Sequence, residues 1–184
     1  MIEAGTQTVR STLGTWRRLA AAFVVAAMLG PWPGAVLAQS AGGASAVILI
    51  YHRFGEDKFP STNTRLVQFE AHITELTSGP YTVLPLPQVV DALLAGTPLP
   101  DRTVAITMDD AYRSIYTEAW PRLRAAGLPF TVFVSTDPVD RNSANYMTWD
   151  QLRELNASGV TIGNHTSSHA HMIPASPGRN AAII

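Results

Sequence analysis

Cysteine is missing from all 184 residues. That removes disulfides, thiolate zinc sites, iron–sulfur clusters and cysteine nucleophiles together, so any metal here must be held by His, Asp or Glu. Charge is scarce too. Charged residues make up 15% of the chain, and 13 basic against 14 acidic side chains leave a net charge of −1. Such a balance offers no electrostatic footprint for nucleic acid, which needs a basic stripe to displace counterions. There is no Walker-type Gly-rich phosphate loop, which argues against a nucleotide enzyme. What the chain does have is an apolar fraction of 46%. That argues against a disordered chain, and the length suits one domain with an ordinary core.

Residues 1–38 differ from the rest. Arg10, Arg17 and Arg18 precede an uncharged apolar run, Leu19 to Leu29. Gly30-Pro31-Trp32-Pro33-Gly34 then breaks any helix, and Val36-Leu37-Ala38 offers small residues at cleavage spacing. A basic start, a short apolar stretch and a small-residue exit describe a secretory signal peptide. The run is well short of the roughly 20 residues that span a bilayer, which disfavours the alternative of a membrane anchor. The expected organisation is a signal peptide over 1–38, a linker over 39–45 and one domain over 46–184. Its expected destination is the periplasm or the extracellular space.

The domain alternates strand and helix signals. Ala46 to Tyr51 is a continuous apolar run, which reads as a strand covered on both faces. Leu66, Phe69, Ile73 and Leu76 mark an amphipathic helix that Gly79-Pro80 ends. A short strand over Tyr81 to Leu84 and a helix over Gln88 to Ala95, capped by Gly96, follow. Thr103 to Met108 reads as a second buried strand. Ser114 to Ala126 reads as a helix kinked at Pro121 and closed by Gly127, and Phe130 to Val134 as a third strand. Thr148 and Gln151 have capping-box spacing and open a helix that closes at Gly159. Val160 to Gly163 is the next strand. Strands alternating with helices imply βαβ units and a parallel sheet. In such folds the functional groups gather at the C-terminal strand edge. His52, Asp109-Asp110 and His165 each follow a strand, so the topology sends them all to that edge.

Taken alone, Asp109-Asp110 could be a turn that caps the next helix, and His165 and His169 could face solvent. Taken together they suggest more. Adjacent buried carboxylates are costly without a positive partner. Two imidazoles four residues apart project from one face if the segment turns helically. Two His and one Asp form a facial triad that leaves metal positions open. The second carboxylate is then free to take a proton while water attacks a carbonyl. Those parts describe metal-assisted hydrolysis of an amide or ester, and the ligands alone leave phosphate monoester hydrolysis open.

The residues also resemble a known family. Thr107-Met108-Asp109-Asp110-Ala111-Tyr112 resembles the T-F-D-D-G-Y motif of polysaccharide deacetylases, the NodB-homology group of carbohydrate esterase family four. Gly163-Asn164-His165-Thr166-Ser167-Ser168-His169 resembles its H-[ST]-x-x-H motif. Leu49 to Phe54 and Leu128 to Val134 resemble its first-strand Y-H segment and its G-[IL]-P-A-T-F-F-V strand. The resemblance spans about residues 46–173. It implies the N-terminal portion of a distorted (β/α) barrel, an α/β fold. It also implies removal of acetyl groups from N-acetylglucosamine-type polysaccharide, in a weaker match by the exported poly-β-1,6-N-acetylglucosamine deacetylases. By resemblance Asp109 is the general base, and Asp110, His165 and His169 ligate a divalent metal, commonly zinc. Thr166 borders the acetate pocket, the Tyr112 amide is the oxyanion donor, and His52 lies at the pocket floor.

Ala111 stands where the motif has glycine, which would strain the chain if that position needs positive φ. The family's later motifs, including the L-x-H strand with the general-acid His, have no counterpart after His169. The expectation is therefore a shortened deacetylase domain with weak or no turnover. A non-catalytic relative that binds metal and carbohydrate is the alternative reading, and a hydrolase of another amino-sugar acyl group is a third.

Overall fold

A computed structural model describes residues 45–170 of the chain. The expected signal peptide, the linker up to residue 44 and the residues from His171 onward lie outside the described residues.

The centre of the fold is β5 (Thr103–Asp109), whose side chains are buried on both faces until Asp109. It pairs in parallel with β1 (Val47–Tyr51), β6 (Thr131–Val134) and the short β4 (Thr82–Val83), and β6 pairs in turn with β7 (Thr161–Asn164). The result is a five-stranded parallel sheet with the path β1-β5-β6-β7. Two small strands, β2 (Arg53–Phe54) and β3 (Asn63–Thr64), form a separate parallel pair just beyond β1.

Helices connect the strands. In α1 (Leu66–Ser78), Phe69 and Leu76 are buried, and the Phe69 ring packs 4.5 Å from Phe54 and 5.5 Å from Tyr51. Helix α2 (Leu86–Ala95) buries Val89 and closes at Gly96 in the left-handed conformation. The helix expected over 114–126 is present in two parts, a π-helical turn over Ile115–Ala119 and then α3 (Trp120–Ala125). Pro121 has no amide hydrogen to donate to the preceding turn, and the wider turn upstream, in which Trp120 N–H reaches Ile115 O, accommodates that loss. Helix α4 (Thr136–Asp140) is brief and was not legible in the periodicity. Helix α5 (Trp149–Ala157) opens on the expected capping box: Gln151 N–H donates to Thr148 Oγ1 at 3.2 Å, and Thr148 N–H to Gln151 Oε1 at 3.0 Å. Ile106, Met108, Ile115, Leu123, Val132 and Leu155 form much of the core.

One expectation fails. The apolar run of β1 is not covered on both faces: Ile48 is 45% exposed and Ile50 62%. β1 pairs with β5 alone among the described residues, so its run marks an edge strand. An unbroken apolar run does not distinguish that from a central strand.

Candidate functional site

Parallel pairing aligns the strand ends. Tyr51 lies beside Met108, Asp109 beside Phe133, and Val134 beside Asn164. The residues that follow, His52, Asp110 and His165, therefore arrive at one edge. β6 and β7 also approach closely: a Cβ on Gly163 would come within 2.6 Å of the Phe133 ring, so this position needs glycine.

The backbone turns sharply where β5 ends. Asp110 has φ 71° and Ala111 φ 61°, two consecutive left-handed residues, neither of them glycine. The strain expected if Ala111 needed positive φ is thus present, and Ala111 is fully buried. Outliers of this kind persist where the surroundings over-determine them. Two backbone hydrogen bonds do so on one side, Met147 N–H to Ala111 O and Arg113 N–H to Asn145 O, both 2.8 Å.

His165 and His169 meet Asp110, though not by the expected helical turn. The segment after β7 is a loop in which Thr166 (φ 65°) and His169 (φ 54°) are left-handed. Thr166 N–H donates to Asn164 Oδ1 at 2.6 Å, and Ala170 N–H to Thr166 Oγ1 at 3.3 Å. The amides opening α4 hold the loop from outside, Thr136 N–H to Thr166 O at 3.3 Å and Asp137 N–H to Ser167 O at 2.8 Å. The two imidazole rings sit edge to face with centroids 4.8 Å apart.

Each imidazole Nε2 lies 3.5 Å from Asp110 Oδ1. Two ligands held about 2.1 Å from one ion at a tetrahedral angle are themselves about 3.4 Å apart. The spacing therefore fits a shared divalent cation. His165 Nε2 is also buried without a hydrogen-bond partner, and such an atom is costly unless something engages it. Asp110, His165 and His169 are the group of potential metal ligands that the described residues bring together.

Asp109 stands apart from that group. Its Oδ2 faces His52 Nε2 at 3.9 Å, close enough for ionic attraction and too long for a direct hydrogen bond. Burial raises the Asp109 pKa above the usual carboxylate value, the adjacent Asp110 charge adds to this, and His165 and His52 oppose it. Tyr112 packs its ring 4.8 Å from Tyr146. Burial, and then a hydrogen bond with Tyr146, push its phenol pKa well up. A cavity of about 270 Å³ opens between Asp110 and His169 on one side and Tyr112, Tyr146 and Asp137 on the other. Tyr146, Asp137 and Arg53, which lies against Tyr112, were not singled out from sequence. They belong to β2, α4 and an irregular loop, where no periodic signal exists.

Comparison with known proteins follows the same lines. The polysaccharide deacetylase family model matches residues 96–182. The "Putative polysaccharide deacetylase YxkH" of Bacillus subtilis is 28% identical over 135 residues, covering 73% of this chain and 47% of its own length. The poly-beta-1,6-N-acetyl-D-glucosamine N-deacetylase of Escherichia coli K12 is 32% identical over 110 residues, covering 51% of this chain and 16% of that protein. Among solved structures, IcaB from Ammonifex degensii superposes with a TM-score of 0.63 at 27% identity, over 77% of this chain and 64% of that one. A de-N-acetylase from Aggregatibacter actinomycetemcomitans gives 0.61 at 25%, over 71% and 59%. The chain spans about half the length of YxkH and less than two thirds of these solved structures. Its parallel α/β architecture is that of the NodB-type deacetylases, in part.

Proposed function

Starting from the chain's likeness to the polysaccharide deacetylases in sequence and in fold, we propose that it is a metal-dependent hydrolase removing N-acetyl groups from N-acetylglucosamine-containing polysaccharide. The observation that carries this reading is the convergence of Asp110, His165 and His169 within 4.8 Å, beside a second carboxylate that they leave free. A divalent cation held by these three, zinc in this proposal, would act as a Lewis acid on the amide carbonyl and lower the pKa of a coordinated water.

The chain's own residues supply the rest. Asp109 Oδ2 takes the proton of the attacking water as general base, and its raised pKa suits a group that must hold a proton briefly. The Tyr112 amide donates to the developing oxyanion, and Thr166 borders the acetyl group. His52 lies opposite Asp109, its Nε2 3.9 Å from Oδ2, at the floor of the proposed pocket. Tyr112 and Tyr146 line the cavity beside Asp110 and His169, where the sugar would lie. The segment over 1–38 fits export, and among the described residues no helix is long and apolar enough to cross a membrane.

Acetate release from acetylated glucosamine oligomers, with zinc and with chelator, tests the proposal. Asp110→Ala should lose the metal. Asp109→Asn should keep it and lose turnover. A parent chain that binds metal and oligomer without releasing acetate would favour the non-catalytic reading instead.

A further inference from the structure

Arg53 is a buried charge outside the proposed reaction, with 7% of its surface exposed. Removing a guanidinium from water is costly, and three contacts offset that cost. Its plane lies between two aromatic rings, 3.5 Å from the centroid of Tyr112 and 3.9 Å from that of Phe59. Its Nη1 donates to Glu56 Oε2 at 2.8 Å. The other Glu56 oxygen accepts Ser114 Oγ–H at 2.6 Å, and Ser114 Oγ accepts Phe54 N–H at 3.1 Å.

Arg53 thus grips the 112–114 segment twice, directly at Tyr112 and through Glu56 at Ser114. That segment immediately follows Asp110 and Ala111, the two left-handed residues. The opposite flank is held by the hydrogen bonds to Asn145 and Met147. Arg53 also directly follows His52, so one anchored residue sets both the turn carrying the Asp110 carboxylate and the backbone beneath the His52 imidazole.

We infer that Arg53 is a positioning residue for the metal site: stacked between Phe59 and Tyr112, it keeps the strained Asp110–Ala111 turn in the geometry that aims Asp110 at His165 and His169. This rests on the proposed metal site but not on turnover. Groups that orient a metal ligand from behind change affinity by about 10–100-fold when removed, and Arg53 should fall in that range. Lysine keeps the charge beside Glu56 and loses the planar stack, so Arg53→Lys should lie between parent and Arg53→Met.

The test is titration of the full chain with Co²⁺, followed by the visible d–d absorption, which reports both affinity and ligand geometry. The control is Leu155→Ala, a core truncation in α5. The expected result is weaker binding, by about 10–100-fold, and an altered band in Arg53→Met, a smaller change in Arg53→Lys, and parental binding in Leu155→Ala. If Arg53→Met does not fold, the Arg53→Lys titration decides. Parental affinity and band shape in a folded Arg53 variant would overturn the inference and leave the metal site standing. A parent chain that does not take up one Co²⁺ would sink both.

Discussion

Ala111→Gly isolates the backbone strain at the site, because its effect on stability is a balance of three opposed quantities. Alanine in the left-handed region costs about 1–2 kcal/mol, and glycine at φ 61° removes that cost. Against it stand the loss of a fully buried methyl, roughly 0.8 kcal/mol, and the greater freedom of glycine in the unfolded chain, about 0.5–1 kcal/mol. The sum is close to zero, within about 1 kcal/mol either way. Ala105→Gly in β5 is the control. Ala105 is equally buried and sits in ordinary strand backbone, so both losses apply without relief, about 1.3–1.8 kcal/mol. Urea unfolding of both variants in the presence of chelator measures the difference. If Ala111→Gly destabilises as much as Ala105→Gly, position 111 carries no strain and the account of this turn is wrong.

Other expectations are more direct. Asp109→Asn should lower acetate release by about 10²–10⁴-fold while metal content, read by elemental analysis, stays at the parental level. Burial raises the Asp109 pKa in the folded metal-free chain, so the folded state holds that proton more tightly than the unfolded state. Its stabilising contribution is full below the ordinary carboxylate value and is lost as pH rises through the raised one. Asp109→Asn should therefore gain stability relative to the parent as chelated samples go from acidic to neutral pH in parallel urea titrations. Zinc at 100 times its dissociation constant should stabilise the parent by about 2.7 kcal/mol, a melting shift absent in Asp110→Ala. Leu123→Ala, which opens a cavity in the core beneath the sheet, should cost about 2–5 kcal/mol and leave metal affinity unchanged.

Strong local signals explain what the sequence made legible. The 3.6-residue spacing of Leu66, Phe69, Ile73 and Leu76, the Thr148–Gln151 box and the uncharged runs of β5 and β6 each depend on near neighbours, and they reappear as α1, α5 and the sheet. Strand ends then placed His52, Asp109 and His165 at one edge by topology alone. The ligand loop was harder. Four-residue spacing of two histidines suggested a helix, whereas Asn164 and the α4 amides hold a loop with left-handed residues that meets the same requirement. The exposure of β1 depends on what lies across the sheet, and Arg53 on a ring nearly sixty positions away. Both are facts of tertiary packing that no local pattern carries.

Asp110 and His165 are more than fifty positions apart in the chain. An ion gripping both would tie off a long loop, and an unfolded polypeptide could not offer it that grip. In a protein with no thiols to cross-link, such an ion would work as a reversible staple, set by the supply of metal and undone by a chelator, and the stapled loop would contain β6 and β7.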